Sequence, residues 1–262
     1  MRITGPGVFG EPQNRDEAIS VLRRAVALGI DFIDTADSYG PHVSENLIRE
    51  ALYPYEGLVI ATKGGFERPK PGVWIMNGDP GYLRRMVEGS LKRLSLDRLP
   101  LWQLHRIDPK VPREAQFRAV AAMRDEGLIR HVGLSQASVA DIEAAGAHFP
   151  VVSVQNLYNL TDRSSEDVLD YCTRQSIAFI PWYPLANSQL TRPNAQLAAV
   201  ARTHGATPGQ IALAWLLAKS AVMLPIPGTG RIAHLEENTA AAKIVLNDAE
   251  MAALSALAVA GS

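Results

Sequence analysis

The chain reads as a closed eight-fold barrel of alternating parallel strands and helices, and three observations carry that reading. Short apolar runs alternate with amphipathic stretches along all 262 residues, and strand alternating with helix makes a parallel sheet with right-handed crossovers. The length fits a barrel, whose typical size is about 250 residues. Polar or reactive residues stand at the carboxyl end of nearly every apolar run: Asp34, Lys63, His105, Ser135, Gln155 with Asn156, Trp182, and Gly228 with Thr229. A barrel gathers its strand ends around one mouth, whereas an open doubly wound sheet spreads them along an edge. The expected class is therefore the (β/α)8 TIM barrel.

The elements follow in order. Strands are expected at Ile30 to Ile33, Leu58 to Thr62, Leu99 to Leu104, His131 to Leu134, Val151 to Val154, Ile177 to Pro181 and Ala221 to Ile226. Several of these runs are continuous rather than alternating, as suits strands covered on both faces. Helices are expected at Glu17 to Leu28, Tyr82 to Leu94, Arg113 to Glu126 and Ser138 to His148. The first sets Ala18, Val21, Leu22, Ala25 and Leu28 on one buried stripe. Thr207-Pro208 opens another helix, a capping residue followed by proline in the first turn. Seven runs are one short of a barrel, and Met1 to Thr4 offers only a stub of an eighth. The expectation is a first strand that lies mostly upstream of Met1.

No low-complexity stretch or flexible linker divides the chain, so residues 1–262 read as one domain. Lys plus Arg number 26 and Asp plus Glu 27, a net charge of −1. Such a balance gives no bulk attraction to nucleic acid or anionic lipid. Cys172 is the sole cysteine, which excludes an internal disulfide and a multi-cysteine zinc site. It reads as a small buried thiol, and no metal site is expected. No run is long enough for a membrane span and the start lacks signal-peptide form, so the expected location is cytoplasmic. The sequence is silent on oligomeric state.

Gly5 to Gly10 matches the dinucleotide fingerprint G-x-G-x-x-G. No strand precedes it, Pro6 stiffens the turn, and a polar segment follows, so it reads as a loop. The strongest local signal is Gly29 to Gly40. Asp34 ends a buried strand, where an ionised carboxylate is costly unless paired. Lys63 ends the next run, and adjacent parallel strands bring the two together as an ion pair. Alone, that pair could merely satisfy itself, Tyr39-Gly40 could be a plain turn, and His105 could be a core histidine.

Taken together these motifs resemble the aldo-keto reductases. The segment Asp34 to Gly40 resembles that family's Asp-Thr-Ala-x-x-Tyr-Gly, and Lys63 and His105 match its strand-end lysine and histidine. Gly133 to Gln136, Gln155-Asn156, Trp182 to Leu185, and Ile226 to Arg231 through Glu237-Asn238 resemble its later motifs. The likeness covers essentially the whole chain. It implies NADP(H)-dependent reduction of a small-molecule carbonyl compound, with NAD(H) not excluded. Tyr39 would be the general acid, with Lys63 lowering its pKa, Asp34 holding the lysine and His105 orienting the substrate. Ser135 and Gln155 would hold the nicotinamide amide, with Gln136 beside Ser135 among the cofactor-binding residues. Trp182 would stack on its ring beside Tyr183, Pro184 and Leu185. Ile226, Gly228, Thr229, Arg231, His234, Glu237 and Asn238 would bind the phosphate-bearing end.

Two departures bear on the cofactor: Gly228 stands where many members have lysine, and His234 where many have arginine. Gln136 replaces an asparagine, and Arg2 alone remains near the missing first strand. The opening ten residues and Tyr39 to His42 look most like bacterial pyridoxal-reductase-like members. The segment Phe66 to Asp79, with Trp74, is expected to line the pocket. Two other readings stand beside this one. A redox-sensing regulatory protein on this fold would bind cofactor without turnover, and a Schiff-base aldolase would use a neutral Lys63 as nucleophile.

Overall fold

A computed structural model describes residues 1–191 and 195–257. The chain forms two compact units, Met1–Ser153 with Gly228–Ile232, and Val154–Pro227 with Ala233–Ser262. In the first unit the strands are β1 (Phe32–Asp34), β2 (Val59–Gly64), β3 (Phe66–Glu67), β4 (Ile75–Met76), β5 (Leu99–Leu104) and β6 (Ile129–Ser135). Its helices are α1 (Arg15–Ala27), α2 (Val43–Leu52), α3 (Pro80–Leu94), α4 (Arg113–Asp125) and α5 (Val139–Gly146). Strand β7 (Val151–Gln155) begins in this unit and ends in the other. The second unit adds α6 (Glu166–Gln175), β8 (Ala178–Phe179), α7 (Ala195–Thr203), α8 (Pro208–Lys219), most of α9 (Ile232–Ala240), and α10 (Asp248–Ser255).

The main sheet runs in the order β1-β2-β5-β6-β7-β8. In the first unit the pairs are parallel, with Asp34 opposite Ala61 and Lys63 opposite Gln103. The core there is Ile60, Ala61, Trp102, Leu104, Val132 and Leu134, all essentially without solvent exposure. Gly133 in β6 shows how tightly the layers meet. A Cβ at that position would stand 2.1 Å from the Ser153 hydroxyl, so only glycine fits.

Helix starts follow their local chemistry. Asn14 accepts from the Glu17 amide to cap α1, and Asp79 accepts from the Tyr82 amide ahead of Pro80 in α3. Ser138 and Asp141 form a reciprocal capping box on α5, which therefore begins one residue after the expected position. The Thr207-Pro208 start is as expected, with Thr207 and Gln210 in a second capping box.

Two strand expectations are corrected, and one further segment gains structure. The run Ala221 to Ile226 is not a strand and makes one isolated bridge, Phe179 to Met223. Pro225 and Pro227 lack amide protons and cannot extend a ladder. Met1 to Thr4 forms turns, and among the described residues no strand precedes Phe32. The segment 66–79 is more than a loop: β3 and β4 pair antiparallel, Phe66 opposite Met76 and Glu67 opposite Ile75. The Gly5 to Gly10 segment is a turn around a short 3-10 helix at Pro6–Val8, as its composition suggests. Cys172 is fully buried, and desolvation pushes its thiol up to about 12, the inert thiol expected.

In the second unit the α8 cap also ties that helix to α9. The Thr207 hydroxyl donates to Glu237 at 2.6 Å and accepts the Gln210 amide at 3.3 Å. Thr207→Ala is expected to cost about 1 kcal/mol, seen as a fall of roughly 2–4 °C in melting temperature. A calorimetric scan of both proteins checks this.

Candidate active site

The first unit brings Asp34, Tyr39, Lys63 and His105 together. Lys63 is fully buried, and its ammonium donates to Asp34 Oδ2 at 2.7 Å and to the Thr35 carbonyl at 2.7 Å. Gln103 donates to the other Asp34 oxygen at 3.3 Å. The same ammonium lies 5.2 Å from the centre of the Tyr39 ring. The His105 ring stands edge-on to that of Tyr39, with centroids 6.0 Å apart.

The loop that presents Tyr39 is fixed by its own backbone. The Thr35 amide donates to Ala61, the Asp37 amide to Lys63, and the Tyr39 amide to Ala36. Gly40 takes φ +103°, and a Cβ there would stand 2.4 Å from Val43 Cβ. Tyr39-Gly40 is thus a turn that only glycine completes, and it aims the phenol inward. Residues 8–10 pair with Gly40 through two backbone hydrogen bonds of 2.6 and 3.2 Å.

Burial sets the protonation states. Desolvation lowers the Lys63 ammonium, but Asp34 and Tyr39 outweigh it and hold the lysine above its ordinary pKa. Burial raises the Tyr39 phenol, and the pull of Lys63 only partly offsets it. This corrects the sequence expectation of a net lowering: the charge acts in the expected direction, and desolvation is larger. His105 falls well below its ordinary value, through burial first and then through Lys63, Arg106 and Arg68. It is neutral at physiological pH. The Ser38 hydroxyl lies 3.5 Å from His105 Nδ1.

The expected cofactor residues divide between the units. In the first, Ser135 is buried at the end of β6 and accepts from Arg106 at 2.9 Å. Gln136 follows at a left-handed φ of +55°, an uncommon conformation for a residue with a side chain. Arg231 and Gly228 are exposed, and the Thr229 hydroxyl accepts the Arg231 amide at the start of α9. Arg2 lies against this segment: a Cβ on Gly228 would stand 3.3 Å from Arg2 Cγ.

In the second unit Gln155 and Asn156 are buried, and the Trp182 amide donates to the Asn156 carbonyl at 2.9 Å. Trp182 and Tyr183 stand edge-to-face with centroids 5.2 Å apart, Tyr183 at φ +62°. Pro184 is buried, while Leu185 and Ile226 are half-buried. His234 is exposed, and Asn238 donates to the Pro227 carbonyl at 3.3 Å. The Glu237 carboxylate is taken by Thr207, a structural role that the sequence reading did not anticipate.

Phe66 and Trp74, from the segment expected to line the pocket, meet the expected His105, while sequence reasoning missed Arg106 and Asp37. Phe66, Trp74 and His105 form an aromatic cluster, with Phe66 4.8 Å from His105 and 5.4 Å from Trp74. Arg106 donates to its neighbour's carbonyl and to Ser135. Asp37, two residues before Tyr39, is fully buried, and neither carboxyl oxygen has a hydrogen-bond partner among the described residues. An acid in the middle of a familiar motif gives no outward sign of this in sequence.

Comparison with known proteins gives one consistent result. The profile described as "Aldo/keto reductase family" matches residues 1–259. An uncharacterized oxidoreductase of Schizosaccharomyces pombe is 56% identical over 97% of this chain and 83% of its own length. The pyridoxine 4-dehydrogenase of Escherichia coli is 40% identical over 98% of this chain and 92% of its own. A Klebsiella pneumoniae aldo/keto reductase, solved with NADP and acetate, superposes with TM-score 0.83 at 26% identity. That alignment covers 98% of this chain and 89% of the solved one. The (β/α)8 class read from the sequence stands.

Asp37 yields a test of stability. Desolvation, aided by Glu45, raises its pKa well above the ordinary value. The folded state therefore holds this proton more tightly than the unfolded state. The associated stability is complete below the unfolded pKa of about 3.9 and is lost as pH rises through the raised folded value. Asp37→Asn is expected to melt progressively higher than wild type as pH rises from about 5 to about 9. A difference in melting temperature that stays constant with pH would mean that the carboxyl is not a buried acid.

Proposed function

Because the chain belongs to the aldo/keto reductase family, we propose that it reduces an aldehyde or ketone to an alcohol, with Tyr39 as the proton donor. The observation that carries this reading is the buried Lys63 ammonium, fixed by Asp34 and facing the Tyr39 ring, with the His105 ring beside it. The cofactor is NADP(H), supported by the relative solved with NADP and by the chemistry of the residues present. In the first unit Ser135 offers a buried hydroxyl that fits a carboxamide. Thr229, Arg231 and Arg2 gather at the start of α9, where amide donors and positive charge fit a phosphate. Arg2 supplies positive charge on the segment where Gly228 stands in place of a lysine.

When bound, NADPH supplies the hydride that reaches the carbonyl carbon. The chain's own residues manage the oxygen. Tyr39 gives its proton to the oxygen as negative charge develops there, and the nearby ammonium stabilises the phenolate left behind. Asp34 holds that ammonium in place. Neutral His105 donates a hydrogen bond to the same oxygen and fixes its position. If the Ser38 hydroxyl donates to Nδ1, then Nε2 carries the proton that points at substrate.

We read the two units as one catalytic domain, a reading supported by a family match that spans both. Cytoplasmic placement accords with the single buried thiol, and among the described residues no helix is long and apolar enough to cross a membrane. The pyridoxine 4-dehydrogenase relative makes pyridoxal a natural member of an aldehyde panel. The Schiff-base alternative needs a neutral lysine, and Asp34 holds Lys63 ionised.

Two measurements test the proposal. Tyr39→Phe is expected to lower kcat by about 10²- to 10⁴-fold, with NADPH affinity kept in a fluorescence titration. Unchanged turnover would remove Tyr39 from its role, and wild type that binds NADPH without turnover would favour a cofactor-binding regulator. The rate of reduction is also expected to show no inflection near the ordinary histidine pKa of about 6.5, because His105 is already neutral there. The rate should fall only at alkaline pH, as Tyr39 loses its proton. A clear acid limb at that pH would overturn the neutral-imidazole assignment.

A further inference from the structure

Arg68, just beyond β3, is buried at 7% exposure, and all of its hydrogen-bond partners are backbone carbonyls. Its Nε donates to Val73 at 3.1 Å, Nη1 to Ser38 at 3.1 Å, and Nη2 to Gly7 at 3.0 Å. The three acceptors belong to three separate segments: the β3–β4 hairpin, the loop that carries Tyr39, and the opening turn. The guanidinium carbon also lies 3.5 Å from the centre of the Trp74 ring, a close cation–π stack. A buried charge is costly to keep, and among the described residues this one has no carboxylate partner. What the guanidinium offers is a rigid planar fork that reaches three carbonyls while its face holds an aromatic ring, which an ammonium cannot do.

Trp74 is the consequence. It is 37% exposed, yet it stands edge-on to Tyr39 at 6.5 Å and to His105 at 6.4 Å. Phe66 packs against both Trp74 and His105. A carbonyl group seated at Tyr39 and His105 therefore carries its substituent toward Trp74. A ring is large and flat enough to meet the indole, and a two-carbon chain is not.

We infer that Arg68 is a positioning residue that locks the hairpin to the Tyr39 loop, so that Trp74 forms a substrate wall favouring ring-bearing carbonyl compounds over short aliphatic ones. The inference rests on the assignment of Tyr39 as proton donor, but the two fail separately. Unchanged turnover in Tyr39→Phe would end that assignment, whereas an unaltered substrate preference would end this one.

The test compares benzaldehyde with propanal, using NADPH, in wild type, Arg68→Lys, Trp74→Ala and the double variant. Arg68→Lys keeps the charge but loses the fork and the stack. It is expected to lower kcat/KM for benzaldehyde about tenfold, chiefly through KM, while propanal changes by less than about threefold. Trp74→Ala should show the same discrimination, and the double variant should be little worse than the poorer single one, because both disturb one wall. The alkaline limb of the pH profile should not move. Equal losses on the two aldehydes, or effects that simply multiply in the double variant, would overturn the inference. Arg68→Gln provides a second variant should Arg68→Lys not fold. If neither folded, the arginine would be a requirement of the fold and not a selector of substrate.

Discussion

The contact on which the site depends is the 2.7 Å ion pair between Lys63 and Asp34. Both partners are buried: Lys63 has no solvent exposure, and the Asp34 side chain is 7% exposed. Removing one member of such a pair typically costs about 3–5 kcal/mol, because an uncompensated charge is left behind. The pairing is supplied by the sheet register, since Asp34 and Lys63 lie near the ends of adjacent parallel strands, with Asp34 opposite Ala61. Gln103 on the next strand completes the shell around the carboxylate. Three neighbouring strands thus place one positive charge beside Tyr39, on backbone that packing holds rigid.

The residues added to that scaffold sit on less regular chain. Tyr39 is presented by a turn that Gly40 closes, and Gln136 and Tyr183 hold left-handed backbone at or beside the proposed cofactor positions. Non-glycine residues take that conformation at a cost of roughly 1 kcal/mol or more, and here they directly follow Ser135 and Trp182. The strands thus provide rigidity, while irregular turns aim the side chains. The hairpin at 66–76 has two paired positions, and the Arg68 guanidinium ties it to the Tyr39 loop and the opening turn.

What could be read from the chain divides along the same line. Strands β2, β5, β6 and β7 were legible because continuous apolar runs have one explanation in a parallel sheet, and the Asp34–Lys63 pair followed from them. The run at 221–226 misled because its hydrophobicity is strand-like, while its prolines act through missing hydrogen bonds that a count of apolar residues ignores. The hairpin is not legible in the sequence, since Phe66-Glu67 and Ile75-Met76 are too short to show a period. Arg68, Asp37 and the capture of Glu237 by Thr207 were not legible at all. Each depends on which backbone or side-chain atoms arrive from a distant segment, and no local pattern records that.

A single physical cause acts on every titratable group of the site, and one group escapes it. Desolvation disfavours every ion, so it favours the protonated forms of Asp37 and Tyr39 and the neutral form of His105. Lys63 escapes only because Asp34 and Tyr39 outweigh its burial. A site with each of these groups in water would have an ionised Asp37 and a His105 that titrates near neutrality, and its field would drift with pH across the physiological range. Burial removes both sources of drift. The Asp34–Lys63 pair then stands beside a phenol that still has its proton to give, with the Arg68 and Arg106 guanidinium groups as further fixed charges nearby.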